Sequence, residues 1–324
     1  MQQEIRFATF NVCNLAPAGA KLYDNLLPST PAEYEAKLAW TAQQLDRLDA
    51  DVIGFQEIFS QGVLREVLAR TRSYRDAIHV GFDPDPAADK YTPSVALVSR
   101  LPLAQPGAAF EYFPQGVEMP QGSRDPNRFS RPVVHAAIQV APDCTVDVLV
   151  VHLKSKRPDY RNGDSSDDAL LFAQASLRSL IRRGTEAVAL RVLLSNLGRE
   201  YRRPRIVLGD FNDVADSVTT AIVMGNGAPL AERLFDACQL QRRPGHPHHV
   251  GFSQLHEGQY STIDHILVSE EFNAALPNAI GEVVDVVYLN DHLVLELPEA
   301  SDHGQVMARI RLFDETHGLS EGGA

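Results

Sequence analysis

A short apolar run that ends abruptly in polar residues constrains this chain more than any other stretch. The run Ile206–Leu208 is followed by Gly209 and Asp210, and Asn212 lies two residues further on. An apolar, β-branched run that is closed by a turn signal is typical of a buried strand. Side chains two apart on an extended backbone point to the same face. Asp210 and Asn212 therefore share a face at the strand end, where an unpartnered carboxylate would be costly to bury.

The same arrangement, a predicted strand that ends in polar side chains, recurs along the chain. A single Asp, Asn or His at such a position is common in turns and carries little information. A turn explanation for every one of these positions would require six separate coincidences, so we expect the side chains to converge. The six polar ends are Asn11, Glu57, His152 with Lys154, Asp210 with Asn212, Asp264 with His265, and Asp302 with His303.

These residue types match one kind of chemistry. Glu57, Asn11 and Asp302 offer hard oxygen ligands, but too few for a cage made of protein alone. That number suits Mg²⁺ or Mn²⁺, which keep water ligands and share their shell with a phosphate. Two histidines and a further carboxylate remain for proton transfer. The set fits phosphoryl transfer, which needs a metal ion, donors that neutralise charge and a positioned water.

Composition limits the class of protein. The 324 residues are 44% hydrophobic with no low-complexity linker, which predicts one domain over residues 1–324, with a core at about 4–312 and a tail at 313–324. The formal charge of −12 argues against a wholly basic surface for long nucleic acid, although it leaves room for a local basic groove. Three cysteines without a CxxC pair predict neither a disulfide framework nor a thiolate zinc site.

The sequence predicts no membrane attachment. Its first residues lack a basic segment followed by an apolar run, and no apolar stretch approaches the length of a membrane span. We therefore expect a cytoplasmic protein without a membrane anchor. A monomer is the default expectation.

Helix and strand signals alternate irregularly along the chain. Thr30 and Glu33 form a capping box around Pro31, which predicts a helix start, and Ser60 is expected to cap a second helix. We expect long loops and a hairpin at 104–130, and a short helix at 230–240. Strands without strict alternation with helices favour two packed sheets with helices outside. The predicted strands are 4–10, 51–57, 94–99, 133–140, 146–154, 205–210, 262–269 and 306–312.

A long helix is predicted over 167–197. Its apolar stripe is expected to face the core, while its arginines face solvent. The stripe consists of Leu170, Leu171, Leu177, Leu180 and Ile181, and the arginines are Arg178, Arg182 and Arg183.

The six polar ends, taken in order, resemble the motifs of the endonuclease/exonuclease/phosphatase superfamily, which includes pancreatic-type deoxyribonuclease. The resemblance runs from about Glu4 to Leu312. It implies an α+β fold, a four-layer α/β/β/α sandwich of two mixed β-sheets flanked by helices, with the site at one edge. The motifs are Thr-Phe-Asn11, Gln-Glu57, His152-Leu-Lys, Gly-Asp210-Phe-Asn212, Ile-Asp264-His-Ile and Ser-Asp302-His303.

The resemblance implies a metal site and a proton-transfer site. Glu57 resembles the principal ligand of Mg²⁺, with Mn²⁺ as a possible substitute. Asn11 would lie close to the metal, and Asp302 would contribute directly or through water.

The same resemblance assigns the remaining residues. Asp210 resembles the carboxylate that orients or deprotonates the attacking water, and Asn212 would hold that water or a phosphate oxygen. His303 would face the scissile phosphate while Asp264 fixes its tautomer. His152 would donate to a non-bridging oxygen in the transition state. Attack would be in line, without a covalent intermediate on the enzyme.

Two cations are candidates for substrate binding. Arg131 resembles a family arginine that contacts substrate phosphate, and Lys154 shares a face with His152. The alternative for both is an ordinary solvated side chain. The basic tract 199–205 is expected to be solvated, although it could contribute to a basic rim.

Two other motifs compete with this assignment. Asp291 and His292 form a second Asp-His pair, but only Asp302-His303 follows a serine and leads into a predicted strand. The histidine-rich segment 246–249 resembles a metal cluster, although its prolines and glycines favour a loop.

Three functions remain open at this point. A nuclease-like phosphodiesterase acting on DNA or RNA is favoured by basic residues near the motifs, while the −12 charge counts mildly against long duplexes. A phosphodiesterase or phosphatase for a small or lipid phosphoester fits the acidic chain. A non-catalytic phosphate-binding module fits least, because the motif set is intact. No counterpart of the tyrosine of abasic-site enzymes can be placed. The basic residues are Arg124, Arg128, Arg131, Lys154, Lys156 and Arg157.

Overall fold

Two six-stranded β-sheets form the centre of the structure, a computed structural model that describes residues 3–83, 91–161, 164–241, 251–295 and 297–313. The strands are β1 (Glu4–Leu15), β2 (Val52–Ile58), β3 (Ile78–Gly81), β4 (Ser94–Ser99), β5 (Ala108–Tyr112), β6 (Arg128–Ala141), β7 (Cys144–His152), β8 (Arg205–Asp210), β9 (Leu234–Asp236), β10 (Gln254–His256), β11 (Gln259–Ser261), β12 (Asp264–Ser269), β13 (Gly281–Leu289) and β14 (Gln305–Leu312). The α-helices are α1 (Pro31–Leu48), α2 (Gln61–Arg70), α3 (Ala169–Tyr201), α4 (Val218–Met224), α5 (Ala237–Leu240) and α6 (His292–Leu295).

Both large sheets are mixed. The first has the strand order β13-β14-β1-β2-β4-β3, and within it β1 and β2 run parallel while the other neighbours run antiparallel. The second has the order β5-β6-β7-β8-β12-β9, and within it only β7 and β8 run parallel. Strands β10 and β11 form a separate small hairpin.

The sheets pack face to face and are covered by helices on their outer faces. Val52 and Leu97 of the first sheet share one apolar cluster with Val148 and Leu208 of the second. Gly54 lies at this contact, where an added Cβ would approach the Cβ of Leu208 to 2.9 Å. Separate clusters join the first sheet to α1 and α2, and the second sheet to α3 and α4. The predicted four-layer α/β/β/α sandwich is therefore confirmed.

The first helix begins where the capping box predicts. The Glu33 backbone N–H donates to Thr30 Oγ1 over 3.3 Å, and the Thr30 N–H donates to the Glu33 carboxylate over 2.8 Å. These bonds satisfy donors that a helix start otherwise leaves unpaired. Ser60 caps α2 in the predicted way, by accepting from the Val63 N–H. The two helices thus begin at fixed positions against the first sheet.

The long helix α3 differs from the prediction in the face that it buries. The expected core stripe is largely exposed: Leu170, Leu177 and Leu180 keep about half or more of their surface. Arg182 and Arg183, which were predicted to face solvent, are buried, so that prediction is wrong. The physical reason is that backbone carbonyls and carboxylates of neighbouring loops satisfy the two guanidinium groups. Helical periodicity alone does not reveal such partners.

Smaller differences concern the edges of the sheets. Strand β13 was not predicted, although its run of valines carries a strand signal. The segment predicted as one short helix at 230–240 contains a 3₁₀ turn, then β9, then α5. In the loop-rich region, β5 pairs antiparallel with β6, as a hairpin would. The segment 246–249 and the tail from 314 lie outside the described residues.

None of the helices in the described part of the chain combines the length and the apolar character that crossing a membrane requires.

Candidate active site

Three neighbouring strands place polar side chains beside one another at one edge of the second sheet. His152 ends β7 and is the register partner of Asp210, which ends the parallel strand β8. Asp264 begins β12 and is the partner of Asp210 on the other side, because β12 runs antiparallel to β8. All three side chains are buried. Strand pairing alone therefore brings together residues that are 58 and 54 positions apart (152 to 210 and 210 to 264).

The backbone around Asp210 is shaped by its neighbours. An added Cβ at Gly209 would lie 2.2 Å from the carbonyl oxygen of Val151, so only glycine fits there. Asn212 has a left-handed backbone with φ of 51°. This turn lets the Asn212 N–H donate to Asp210 Oδ1 over 2.7 Å, while its side chain donates to the Leu153 carbonyl over 3.0 Å. The Asp210 carboxylate is thereby held in one orientation.

One oxygen of Asp210 is the focus of the site. Oδ2 accepts a hydrogen bond from Asn11 Nδ2 over 3.1 Å, which connects the first sheet to the second. The Nε2 atoms of His152 and His303 lie 3.4 and 3.9 Å from the same oxygen. Burial, together with the nearby Asp264 carboxylate, raises the pKa of Asp210 to about 7. A carboxylate with this pKa can accept a proton near neutral pH.

The two histidines are in opposite electrostatic environments. Burial and the cation of Arg131 hold the pKa of His152 well below its usual value. Burial also disfavours the charged form of His303, but Asp264 and Asp210 outweigh it and raise the pKa of His303 well above its usual value. The environment therefore favours the neutral form of His152 and the charged form of His303.

Asp264 fixes the orientation of His303. Its Oδ2 accepts from His303 Nδ1 over 2.8 Å, so Nε2 of that ring points towards Asp210. The other oxygen, Oδ1, is buried and has no hydrogen-bond partner among the described residues. Ser253 Oγ accepts the backbone N–H of Asp264 over 3.1 Å and fixes the start of the strand. The pair has the geometry of an acid that holds an imidazole ring in one orientation.

Asn11 connects this network to the C-terminal motif. Its backbone carbonyl accepts from Ser301 Oγ over 2.6 Å, and Ser301 Oγ in turn accepts the N–H of His303 over 3.0 Å. Sequence reasoning did not assign a role to Ser301, although the serine before Asp302 was noted. Its position in the motif was the available signal.

The residues predicted to hold a metal lie beside the Asp210 network. Glu57 is half-buried with φ of 61°, and one of its oxygens accepts the Asn14 N–H over 2.9 Å. Its other oxygen accepts no hydrogen bond within the part of the chain that the structure describes. Asp302 is exposed. Burial raises the pKa of the Cys13 thiol, and the negative charges of Asp302 and Glu57 raise it further. Glu57 and Asp302 are thus on the same side of the site.

A second group could also hold a cation. In the described ranges, Asp210, Asp264 and His303 have ligand atoms within 4.8 Å of one another. The His303 and Asp264 atoms already bind each other. Carboxylate and amide oxygens without a complete set of hydrogen bonds are the donors that Mg²⁺ and Mn²⁺ prefer. Glu57 and Asn11 offer such oxygens, and so does Asp264, whose Oδ1 has no hydrogen-bond partner among the described residues.

The two candidate substrate-binding cations lie side by side. Arg131 Nη1 donates to the Leu153 carbonyl over 3.4 Å, next to Lys154 in the chain. Lys154 Nζ donates to the Ser155 and Arg157 carbonyls. Burial, with the positive charge of Arg131, lowers the pKa of Lys154. Both side chains therefore adjoin His152.

The competing Asp-His pair lies outside the cluster. His292 Nε2 is 2.8 Å from the carbonyl oxygen of His303, and its ring packs against Trp40 with centroids 5.1 Å apart. The structure brings His303, and not His292, to Asp210. His292 supports the segment that carries His303.

Comparisons with known proteins identify the family and the fold of the chain. The model of the endonuclease/exonuclease/phosphatase family matches residues 8–303. No curated protein matches the chain. Many solved structures share its fold. They include the human Nocturnin catalytic domain with bound sulfate (16% identity, 96% of this chain and 98% of that one, TM-score 0.58), D. rerio TDP2 complexed with single-strand DNA product (13%, 95%, 98%, 0.57) and a Bacteroides thetaiotaomicron mannosyl-6-phosphatase (18%, 94%, 99%, 0.55).

Identities this low show the fold alone, whereas the family match extends from β1 to the last motif of the site. The protein therefore belongs to the endonuclease/exonuclease/phosphatase family, whose members are phosphoester hydrolases.

Proposed function

We propose that this protein is a divalent-metal-dependent phosphodiester hydrolase, nuclease-like in action, that uses water to attack phosphorus in line. The observation that carries the proposal is the position of Asp210. One of its oxygens faces both imidazoles, and Asn11 and Asn212 fix the carboxylate. Fixed, water-excluded groups of this kind stabilise developing charge more strongly than groups that must reorganise.

Asp210 acts as the general base in this proposal. Its raised pKa matches the proton affinity that a base needs near neutral pH. Asn212 holds the water or a phosphate oxygen beside it. The N–H of Asn212 remains on Oδ1, so Oδ2 is the oxygen that receives the proton.

The two histidines act on the phosphate. Protonated His303, held by Asp264, presents Nε2 and its charge to the scissile group. Neutral His152 still carries one N–H, which donates to a non-bridging oxygen as negative charge develops there. Arg131 and Lys154 contact the phosphate and neutralise its charge.

Glu57 with Asn11 would hold the metal ion, and Asp302 would contribute directly or through water. A bound Mg²⁺ or Mn²⁺ would supply charge neutralisation at the phosphate and the leaving oxygen. The open oxygen of Glu57 supports this assignment.

A second candidate is a phosphatase or phosphodiesterase for a small or lipid phosphoester. The −12 formal charge favours it over a nuclease for long duplexes, and one similar fold is described as a mannosyl-6-phosphatase. The nuclease hypothesis is supported by the similar TDP2 structure, which is described as complexed with single-strand DNA product.

A substrate panel separates the two candidates. Supercoiled plasmid, single-strand DNA and RNA oligonucleotides, mannose 6-phosphate and a short-chain lipid phosphodiester are incubated with Mg²⁺. Cleaved polynucleotide supports the nuclease. Release of inorganic phosphate from the sugar phosphate, with intact polynucleotide, transfers the assignment to the second candidate.

A further inference from the structure

A buried carboxylate on α3 joins the two segments that carry the phosphate-binding cations. Glu186 is 1% exposed and lies on the face of α3 that turns towards the site. Its Oε1 accepts from the Ser130 N–H over 2.8 Å and from Ser130 Oγ over 2.5 Å. Its Oε2 accepts the N–H of Lys154 over 2.8 Å. Ser130 precedes Arg131, so one carboxylate contacts the backbone at both cations.

We propose that Glu186 is a positioning residue that sets the separation of Arg131 and Lys154 and thereby the affinity for a phosphate group. The inference rests on the proposed role of these two cations in phosphate binding. Glu186 itself does not reach the Asp210 cluster in any of the described contacts. Its effect on substrate is exerted through the two backbone segments.

The Glu186 carboxylate forms its hydrogen bonds with other groups and forms no ion pair with Arg131 or Lys154. Besides the two peptide N–H groups and the Ser130 hydroxyl, its partner is Arg182, whose Nε donates over 3.1 Å. Arg182 also donates to the carbonyls of Pro126 and Arg128 at the entry of β6. Within the described ranges, neither Arg131 nor Lys154 forms an ion pair. Their charges remain available to an anion.

A second buried pair secures the other side of the Lys154 segment. Arg183 Nη1 donates to the Lys154 carbonyl over 3.4 Å, and its Nε donates to Asp213 over 3.3 Å. Asp213 also pairs with Lys156 at 2.9 Å. Both the N–H and the carbonyl of Lys154 are thus held from α3. The polar face of α3, whose arginines were predicted to face solvent, therefore holds the phosphate-binding segment in position.

The test is Glu186→Gln, which preserves shape but removes the charge and turns an amide N–H₂ towards a backbone donor. Binding of inorganic phosphate is measured as its inhibition constant in metal-dependent diester hydrolysis and, independently, as phosphate-dependent thermal stabilisation. We expect phosphate affinity and KM to worsen by about ten- to a hundredfold, since a buried N–H loses its acceptor. The turnover number kcat should change less than about threefold.

Glu232→Gln is the matched control. Glu232 pairs with Arg199 and Ser195 at the far end of the same helix, away from the cations. It should leave phosphate affinity unchanged. Arg131→Met combined with Glu186→Gln should weaken phosphate binding by less than the sum of the two single losses, because Glu186 acts partly through Arg131 and partly through Lys154.

Two results would overturn the inference. One is a loss in kcat with phosphate affinity unchanged, and the other is full additivity of the double variant. If Glu186→Gln fails to fold, Ser130→Ala removes one of the four bonds and should weaken phosphate binding severalfold; unchanged binding would refute the proposal. Thermal stabilisation by phosphate does not require turnover, so absence of hydrolysis in the unmutated protein would count against the proposed function and leave this inference testable.

Discussion

The isosteric substitution Asp210→Asn should strongly lower turnover and yet stabilise the folded protein at alkaline pH. Asp210 is buried, and burial with Asp264 raises its pKa from 3.8 to about 7. Between these values the folded state binds more protons than the unfolded state. The free energy of unfolding therefore falls as pH rises through this window, and the whole penalty is present above about pH 7.

The magnitude follows from the size of the pKa change. About three units at about 1.4 kcal/mol each give a penalty on the order of 4 kcal/mol at pH 8. Asparagine at this position does not titrate, but its amide would face Asn11 Nδ2, at a cost of about 1 kcal/mol. The variant should thus be more stable by about 3 kcal/mol at pH 8 and less stable by about 1 kcal/mol at pH 4.

Denaturant unfolding in EDTA at pH 4 and pH 8 measures this difference, with Asp167→Asn on the surface as the control. In parallel, turnover of a phosphodiester with Mg²⁺ should fall by about 10²–10⁴-fold, as expected for loss of a general base. A stability change that is the same at both pH values would refute the electrostatic reasoning. Near-normal turnover would refute the assignment of Asp210 as the base.

Four other substitutions probe the rest of the site and the competing Asp-His pair. Glu57→Gln should raise the Mg²⁺ concentration for half-maximal activity by about tenfold or more, because a neutral amide binds the ion more weakly; an unchanged metal titration removes Glu57 from the metal site. His303→Ala should lower kcat by about 10²–10⁴-fold, whereas His292→Ala should lower it less than about tenfold, and equal losses would mean that the C-terminal pair is misassigned. Asp264→Asn should lower kcat/KM by about 10³-fold and move the alkaline limb of the pH profile to lower pH, since the pKa of His303 is no longer raised by its partner. A pH profile that keeps its alkaline limb would show that Asp264 does not act on His303.

The sequence was sufficient to predict the layers of the fold, and the structure brings several of the predicted site residues together around Asp210. Strand ends can be predicted because an apolar run stops at a polar residue, as at Asp210. Helix starts can be predicted from a capping box, such as the one around Pro31. The sequence predicted two packed sheets, but it did not show which strands are neighbours within each sheet. The strand register in the structure shows this, because it places His152 and Asp264 on either side of Asp210.

The polar face of α3 could not be predicted from periodicity. Leu170 and Leu177 have the spacing of a core stripe, but the N-terminal part of α3 keeps them exposed. Arg182 and Glu186 are charged residues of the kind expected on a solvated face. They are buried because backbone groups from distant loops form hydrogen bonds with them. Such partners lie dozens of residues away in sequence, so no local pattern records them. Strand β13 is different, since its valine-rich run carried a usable signal.

The central claim, metal-dependent hydrolysis of a phosphodiester through Asp210, is tested most directly with bis-p-nitrophenyl phosphate. Its hydrolysis is compared with that of p-nitrophenyl phosphate in EDTA and after addition of Mg²⁺ or Mn²⁺, for the unmutated protein and for Asp210→Asn. We expect diester cleavage that is absent in EDTA, restored by either ion and lost in the variant. Cleavage that persists in EDTA, or that survives in Asp210→Asn, would contradict it.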